Sequence, residues 1–254
     1  MRLDERKLAL IEERVQVLKR PRKDDDRRKT YDEVFDEASL LALYKWISDG
    51  TISTVDYPVS TGKEGNIFHA TTARGAVALK IYRVNNATWR SLSEYVEGDP
   101  RFKKVGGSFR ERISVWALKE FKNLQKMRGA GVRVPEPIAV HKNLLIMQYL
   151  GDETMPAPQV REVALEDPLP TYEDVVASMA AMRTAELVHG DLSEYNLLWW
   201  DGHPWVIDCA QAVAFGHPRS DDWFRRDVAN IARFFANRGV DTDAARLEAR
   251  VRGG

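Results

Sequence analysis

Apolar residues fall in helical spacing in one stretch and in short β-like runs in several others. From Ile113 to Met127, Trp116, Phe121, Leu124 and Met127 recur at the spacing of a helix. Ile67-Phe68-His69-Ala70, the run Ala76 to Tyr82, and Leu144 to Leu150 read as strands, with a turn near Arg74-Gly75 between the first two. The helix closes at Gly129 and Gly131, and Val132 to Pro137 follows as an extended link. Further on, Leu197 to Trp200 and Trp205 to Ile207 form a second strand pair, joined by the turn Asp201-Gly202-His203-Pro204. Tyr31 to Gly50 reads as one helix after a charged arm, and Asp221 to Asn237 as an amphipathic helix. Trp199 and Trp200 read as core residues.

The polar residues between these elements carry the chemistry. His189-Gly190-Asp191-Leu192-Ser193-Glu194-Tyr195-Asn196 is followed by Val206-Ile207-Asp208. An Asp, an Asn five residues on, and an Asp twelve beyond that have the spacing of a phosphotransferase loop, H-x-D-x-x-x-x-N, followed by a metal-binding Asp. A transferring phosphoryl group is heavily charged and needs a divalent metal on hard oxygen ligands, here Asn196 and Asp208. A carboxylate must also orient the nucleophile or take its proton, here Asp191. Taken singly, each residue is an ordinary turn former. The apolar runs on either side set all three at the mouth of one strand pair.

Such a site needs a loop over the phosphates and a lysine behind it. Ser60-Thr61-Gly62-Lys63-Glu64-Gly65-Asn66 precedes the first strand, and Lys80 sits on the next, as in V-A-I-K. The loop is neither a Walker A motif, having Tyr57 and Glu64 at the diagnostic places, nor G-x-G-x-x-G. Glu120, on the predicted helix, reads either as the acidic partner of Lys80 or as a solvated helix charge. Gln148, Tyr149 and Leu150 stand where a kinase hinge offers backbone groups to adenine. Asp227 reads either as a holder of the catalytic-loop backbone or as a surface acid.

Together these motifs resemble the RIO family of atypical kinases, on its RIO1 branch. The residues are Ser-Thr-Gly-Lys-Glu at 60–64, Leu79-Lys80-Ile81-Tyr82-Arg83, Trp116 to Phe121, Val134-Pro135-Glu136-Pro137, His189 to Asn196, Ile207-Asp208-x-x-Gln211, and Arg226-Asp227-Val228-x-Asn230-Ile231-x-Arg233-Phe234-Phe235. The match runs from about Tyr31 to Val240. Only 59 residues precede Ser60, which leaves little room for the winged helix of the RIO2 branch. Gly65-Asn66 and Cys209-Ala210 depart from the commoner pattern without removing a functional group. The resemblance implies an α+β, two-lobed protein-kinase-like fold. Residues 1–50 would be a charged arm and helix, 51–150 an N-lobe of antiparallel sheet plus helix with a mobile insertion at 84–112, and 151–254 a reduced, mainly helical C-lobe. It implies ATP and Mg2+ (with Mn2+ as a substitute), bound by Ser60, Thr61, Gly62, Lys63, Glu64, Lys80, Glu120, Gln148, Tyr149 and Leu150. Asp191 would be the catalytic acid/base, Asn196 and Asp208 the metal ligands, and Asp208 also the site of an aspartyl phosphate. The partner implied is the small ribosomal subunit precursor, rRNA and proteins, with Ser108 a candidate autophosphorylation site.

What is missing sharpens the picture. No Ala-Pro-Glu occurs, Gly190 replaces the arginine of H-R-D, and Asp208-Cys209-Ala210 replaces D-F-G, so no recognisable peptide platform follows. Two other readings stand beside the kinase or ATPase. One is an ATP-gated assembly factor with little turnover. The other is a small-molecule phosphotransferase of the aminoglycoside type, which the loop at 60–64 and the 46 residues after Asp208 disfavour. The formal net charge is zero, so the total says nothing of nucleic acid, and no DNA is expected. The run Lys19 to Lys29 and the cluster Arg101, Lys103, Lys104, Arg110 and Arg112 are local basic patches for rRNA or solvent. A single cysteine, Cys209, and no long apolar run suit a cytoplasmic protein away from membranes.

Overall fold

The computed structural model describes residues 3–19, 35–62, 64–84, 93–102 and 107–253. Lys63, most of the basic arm from Arg20 to Lys29, Tyr31 to Val34, Lys103 and Lys104 lie outside the described residues. The chain divides into two compact units, the first made of Met1–Ser91, Gly106–Phe121 and Pro137–Tyr149, the second of Leu92–Val105, Lys122–Glu136 and Leu150–Gly254. The segments 92–105 and 122–136, assigned by sequence to the N-lobe, therefore group with the second unit.

The first unit is an antiparallel five-stranded sheet with helices. Its strands are β1 (Thr54–Thr61), β2 (Gly65–Thr72), β3 (Gly75–Tyr82), β4 (Pro137–His141) and β5 (Leu144–Gln148), in the order β1-β2-β3-β5-β4. The order follows from composition. Pro58 and Pro137, which cannot donate to a ladder, lie on the two edge strands. The nearly continuous apolar runs of β3 and β5 lie inside. Helices α1 (Glu5–Arg14), α2 (Gln16–Lys19) and α3 (Glu37–Ser48) belong to the same unit. Asp36 caps α3 by accepting the Ser39 N–H at 2.8 Å, and its other oxygen takes Arg110 at 2.9 Å. Ile11, Val15, Leu43, Trp46 and Ile47 bury their side chains with Phe68, Leu79, Ile81 and Ile146 of the sheet in one core. Helix α4 (Phe109–Gly129) starts at a reciprocal cap, in which Ser108 and Glu111 bond each other's backbone N–H.

The second unit is mainly helical. Helix α5 (Pro168–Thr184) begins with Asp167 as cap and Pro168 at its first turn. Strands β6 (Leu187–Val188) and β9 (Val213–Ala214) pair, and so do β7 (Leu197–Trp200) and β8 (His203–Val206). Helices α6 (Ser220–Ala236) and α7 (Ala244–Arg252) complete it, the latter capped by Asp243 and stopped by Gly253 in the left-handed region. Tyr172 and Phe235 meet edge to face with centroids 5.3 Å apart in the helical core.

The structure corrects several expectations. The turn between β7 and β8 is only Asp201-Gly202, both at positive φ (50° and 74°), which suits a two-residue hairpin; His203 and Pro204 belong to β8. Trp199 and Trp200 are half-buried rather than core. The link after α4 ends in β4, and the N-terminal arm contains α1. The run Leu144 to Leu150 leaves the sheet after Gln148, because the Leu150 carbonyl turns to accept the Ala157 N–H at 3.0 Å. The described part of the insertion at 84–112 is held rather than loose: residues 93–95 form a 3-10 turn, and Arg101 is anchored as set out below. No described helix is long and apolar enough to cross a membrane.

One buried polar residue locks the first unit. The side chain of Asn143, a residue 1% exposed, donates to Ser39 Oγ at 2.8 Å and to the Tyr82 carbonyl at 2.9 Å, while its backbone carbonyl accepts the Tyr82 N–H. Asn143→Ala strands a buried acceptor and should lower the unfolding free energy by about 2 kcal/mol, read as a shifted urea midpoint at unchanged m-value.

Candidate active site

In the first unit, the register sets Lys80 opposite Ile67 on β2 and Leu145 on β5, and alternation along β3 puts its side chain on the face away from the core residues Leu79 and Ile81. Its Nζ lies 3.0 and 2.8 Å from the two carboxylate oxygens of Glu120, which is 1% exposed. The pair forms. A buried ion pair gains little over apolar packing, so its presence is better explained by a need for a fixed cation than by stability. Removing either member leaves a buried charge and costs several kcal/mol.

Of the segment Ser60 to Asn66, expected as a loop before the strand, Ser60 and Thr61 end β1 and Gly65 and Asn66 begin β2. Ser60, Thr61 and Gly62 are exposed, the Gly62 N–H donates to the Gly65 carbonyl at 2.9 Å, and the Glu64 carbonyl accepts the Arg83 N–H at 2.9 Å. Gly65 has no room for a side chain, since a Cβ there would lie 2.4 Å from the Ile81 carbonyl oxygen. Gln148 pairs with Val77 at the end of β5, and the Tyr149 ring meets His69 edge-on at 4.8 Å. Leu150 is buried, its carbonyl already engaged with Ala157.

In the second unit, the loop His189 to Asn196 lies outside regular secondary structure except for a 3-10 turn at Glu194–Asn196. Its peptide groups are therefore satisfied one by one. Asp227 on α6, 2% exposed, accepts the Gly190 N–H on Oδ2 and the Leu192 N–H on Oδ1, each at 2.8 Å. Of the two readings of Asp227, the backbone holder is the one the structure supports. Arg226 donates to the Gly190 carbonyl, Asn196 Nδ2 to the Asp191 carbonyl at 2.8 Å, and Asn230 Nδ2 to the Leu192 carbonyl at 3.2 Å. The result is a rigid backbone that presents a half-exposed Asp191 carboxylate.

Ile207 ties Asp208 to this loop. Its N–H donates to the Asn196 carbonyl at 3.0 Å and its carbonyl faces His189 Nε2 at 3.1 Å. Asp208 itself takes the left-handed conformation, φ 58° and ψ 52°, uncommon for a residue with a side chain, and opens a 3-10 turn Cys209–Gln211. That turn is held from below by Asn123, whose Nδ2 donates to the carbonyls of Cys209 (2.7 Å) and Ala212 (2.9 Å). Arg101 in turn donates to Asn123 Oδ1 at 2.7 Å and to the Ala212 carbonyl at 3.1 Å, and its charge is matched by buried Asp99. Asp208 thus owes its position to a network that sequence reasoning did not find. Buried asparagine and aspartate at Asn123 and Asp99 were the only signal, and neither has local spacing to announce it.

The charges are coupled. Burial pushes the Asp191 carboxyl above the ordinary carboxylate range, Arg226 opposes this, and the Asp208 charge adds to it. Burial pushes Asp227 up to about 7 against its two backbone N–H bonds and Arg226. Among the described residues no group of three or more His, Cys, Asp or Glu side chains converges. A metal here would rest on Asp208 and on Asn196, whose amide nitrogen is committed to Asp191, leaving Oδ1 as the ligand atom. Two protein oxygens, with phosphates and water supplying the rest, is the donor set magnesium takes in phosphotransferases. The residues fit that ion.

The fold and these side chains are those of a protein-kinase-like phosphotransferase. The RIO domain profile matches residues 66–247, and the chain belongs to the RIO family. It is 45% identical over 226 residues to the RIO-type serine/threonine-protein kinase Rio1 of Haloferax volcanii, covering 89% of this chain and 78% of that protein. It is 36% identical over 224 residues to the human serine/threonine-protein kinase RIO1, covering 86% of this chain but 39% of the human protein. Among solved structures, the Rio2 kinase of Chaetomium thermophilum superposes with a TM-score of 0.65 at 28% identity, over 84% of this chain and 66% of that one. Its ADP/Mg2+-phosphoaspartate complex gives 0.62 at 27%, over 84% and 65%. These relatives place the chain among RIO1-type serine/threonine kinases.

The raised Asp227 carboxyl makes a signed prediction. Between the unfolded value of 3.8 and a folded value of about 7, the folded state holds the proton more tightly. The contribution of this group to stability is therefore present at low pH and lost as pH rises through about 7. In melting curves from pH 5 to 8, the wild type should lose stability relative to Asp227→Asn as pH rises. A pH-independent difference between the two would show that Asp227 is not perturbed.

Proposed function

We propose that this chain is an ATP- and magnesium-dependent protein serine/threonine kinase that also hydrolyses ATP, acting on the small ribosomal subunit precursor during its maturation. The observation that carries the enzymatic part is the rigid loop presenting Asp191 beside Asn196 and Asp208. The ribosomal part rests on family membership, which the enzymatic assay below also probes.

Lys80, held by Glu120, supplies a fixed cation for the α- and β-phosphates. Asp191 accepts the proton of the attacking hydroxyl or water, a role suited by a pKa shifted toward the working pH. A bound magnesium would neutralise charge on the phosphates. Asp208 is the residue to receive an aspartyl phosphate: a carboxylate oxygen bonds the γ-phosphorus, the bond to the ADP oxygen breaks, and a water deprotonated by Asp191 later releases phosphate. The Chaetomium thermophilum relative crystallised as an ADP/Mg2+-phosphoaspartate complex supports this reading.

Steady-state ATP hydrolysis, with and without purified small-subunit precursor, is the test. Asp191→Ala should lower turnover roughly 10²- to 10⁴-fold, and precursor should stimulate the wild type only. Turnover that Asp191→Ala does not reduce would sink the enzymatic reading. Tight ATP-dependent binding to precursor with no turnover would mark an ATP-gated assembly factor instead. Lys80→Ala should mainly raise the KM for ATP, by about tenfold or more, which initial rates across an ATP series would read.

A further inference from the structure

Gly190 stands where other kinases carry the arginine of H-R-D. Its φ is 84°, a conformation strained for any residue with a side chain, and a Cβ there would press to 3.3 Å of the Gln211 carbonyl oxygen. A guanidinium reaches the loop from elsewhere. Arg226, on α6, donates to the Gly190 carbonyl and sets an NH2 3.8 Å from Asp191 Oδ1. The same nitrogen lies 3.5 Å from the hydroxyl of Tyr95, whose ring is stacked on Trp223 with centroids 4.5 Å apart. Arg226 is thus braced on one side and touches the acid and the peptide before it on the other.

A purely structural role does not account for this arrangement. The bond to the Gly190 carbonyl gives Arg226 a share in fixing the loop backbone with Asp227 and Asn230, but it does not require the guanidinium to approach the Asp191 carboxylate as well. Arg226 and Asp191 are both more than two-fifths exposed, and an exposed ion pair at that distance contributes little stability. What the backbone bonds leave free is rotation of the Asp191 side chain. A guanidinium anchored on the Gly190 carbonyl with its charge 3.8 Å from Oδ1 biases that rotation, drawing Oδ1 toward itself and leaving Oδ2 for the acceptor's proton.

We propose that Arg226, reaching the loop from helix α6, is a positioning residue for Asp191. The proposal rests on the kinase reading above. Its effect is on the fraction of time Asp191 is aimed at the acceptor, so it enters kcat and not ATP affinity. A misaligned catalytic group costs roughly ten- to a hundredfold in rate.

The test combines Arg226→Ala and Arg226→Lys, each alone and with Asp191→Ala, with two readouts. In ATP turnover, Arg226→Ala should lower kcat ten- to a hundredfold at unchanged KM for ATP, beyond the modest fall in melting temperature that losing the Gly190 carbonyl bond brings. Arg226→Lys should recover most of the loss, because an ammonium also brings a cation toward Oδ1. In the Asp191→Ala background, Arg226→Ala should do nothing further; an equal loss there, or a wild-type kcat in the single variant, overturns the proposal. The second readout needs no turnover. The Asp191 carboxyl carbon signal in ¹³C-aspartate-labelled protein, assigned by its absence in Asp191→Ala, should shift or broaden in Arg226→Ala and not in Arg226→Lys. An unchanged signal overturns the proposal. Wild-type turnover no faster than Asp191→Ala overturns the kinase reading alone, and the carboxyl signal then decides for Arg226.

Discussion

The two backbone N–H bonds accepted by Asp227 are the constraint on which the catalytic unit depends. A loop without strand or helix partners must have its buried peptide groups satisfied by side chains, or the cost of desolvating them unfolds it. Asp227 satisfies two of them at once, on either side of Asp191. The bond set then closes on itself, with Arg226, Asn196 and Asn230 taking the three carbonyls from Gly190 to Leu192. An asparagine of the same size has one acceptor oxygen and could not hold both amides. The burial that raises the Asp227 carboxyl toward 7 is the cost of having a two-oxygen acceptor at that depth.

The second Asp is placed by different means. Asp208 follows Ile207, whose N–H and carbonyl engage the two ends of the catalytic loop at Asn196 and His189. A left-handed residue then turns the chain sharply into a 3-10 turn. Such a conformation costs free energy in a non-glycine residue and persists only where neighbours over-determine it. Asn123, Arg101 and Asp99 supply that over-determination from residues far away in sequence. The segment carrying Asp99 and Arg101 is part of the stretch 84–112 that was expected to be a mobile insertion.

This difference explains what could be read from the chain. The motif residues were legible because loop geometry fixes their offsets: Asp191, Asn196 and Asp208 announce themselves by spacing, and Lys80 by its position on an apolar strand. The Lys80–Glu120 pair was half legible, since a glutamate on a helix looks the same whether it faces solvent or a buried cation. Asn123, Arg101 and Arg226 were not legible in their roles, because each acts across a long stretch of sequence on a backbone atom that has no side-chain signature. Helices α1, α5 and α7 escaped notice for another reason. Their capping residues Asp4, Asp167 and Asp243 are plain in the sequence, but charged residues interrupt the apolar stripes of α1 and α7, and Pro168 and Pro170 obscure the start of α5.

The electrostatics of the site follow from these placements. Asp191, Asp208 and Asp227 lie near enough for Asp208 to raise Asp191 and for Asp191 to raise Asp227, and Arg226 opposes both shifts. Among these four groups the carboxyls crowd one another in a partly desolvated place. Such crowding can be relieved by protonation, which would disarm Asp191, or by a cation of high charge density. A divalent ion on Asp208 and the Asn196 amide oxygen would be the largest local charge in the site and would pull the neighbouring carboxyls back toward the ionised form. The two raised carboxyls thus have separate first causes, the burial of Asp227 under the loop it holds and the partial burial of Asp191 beside Asp208.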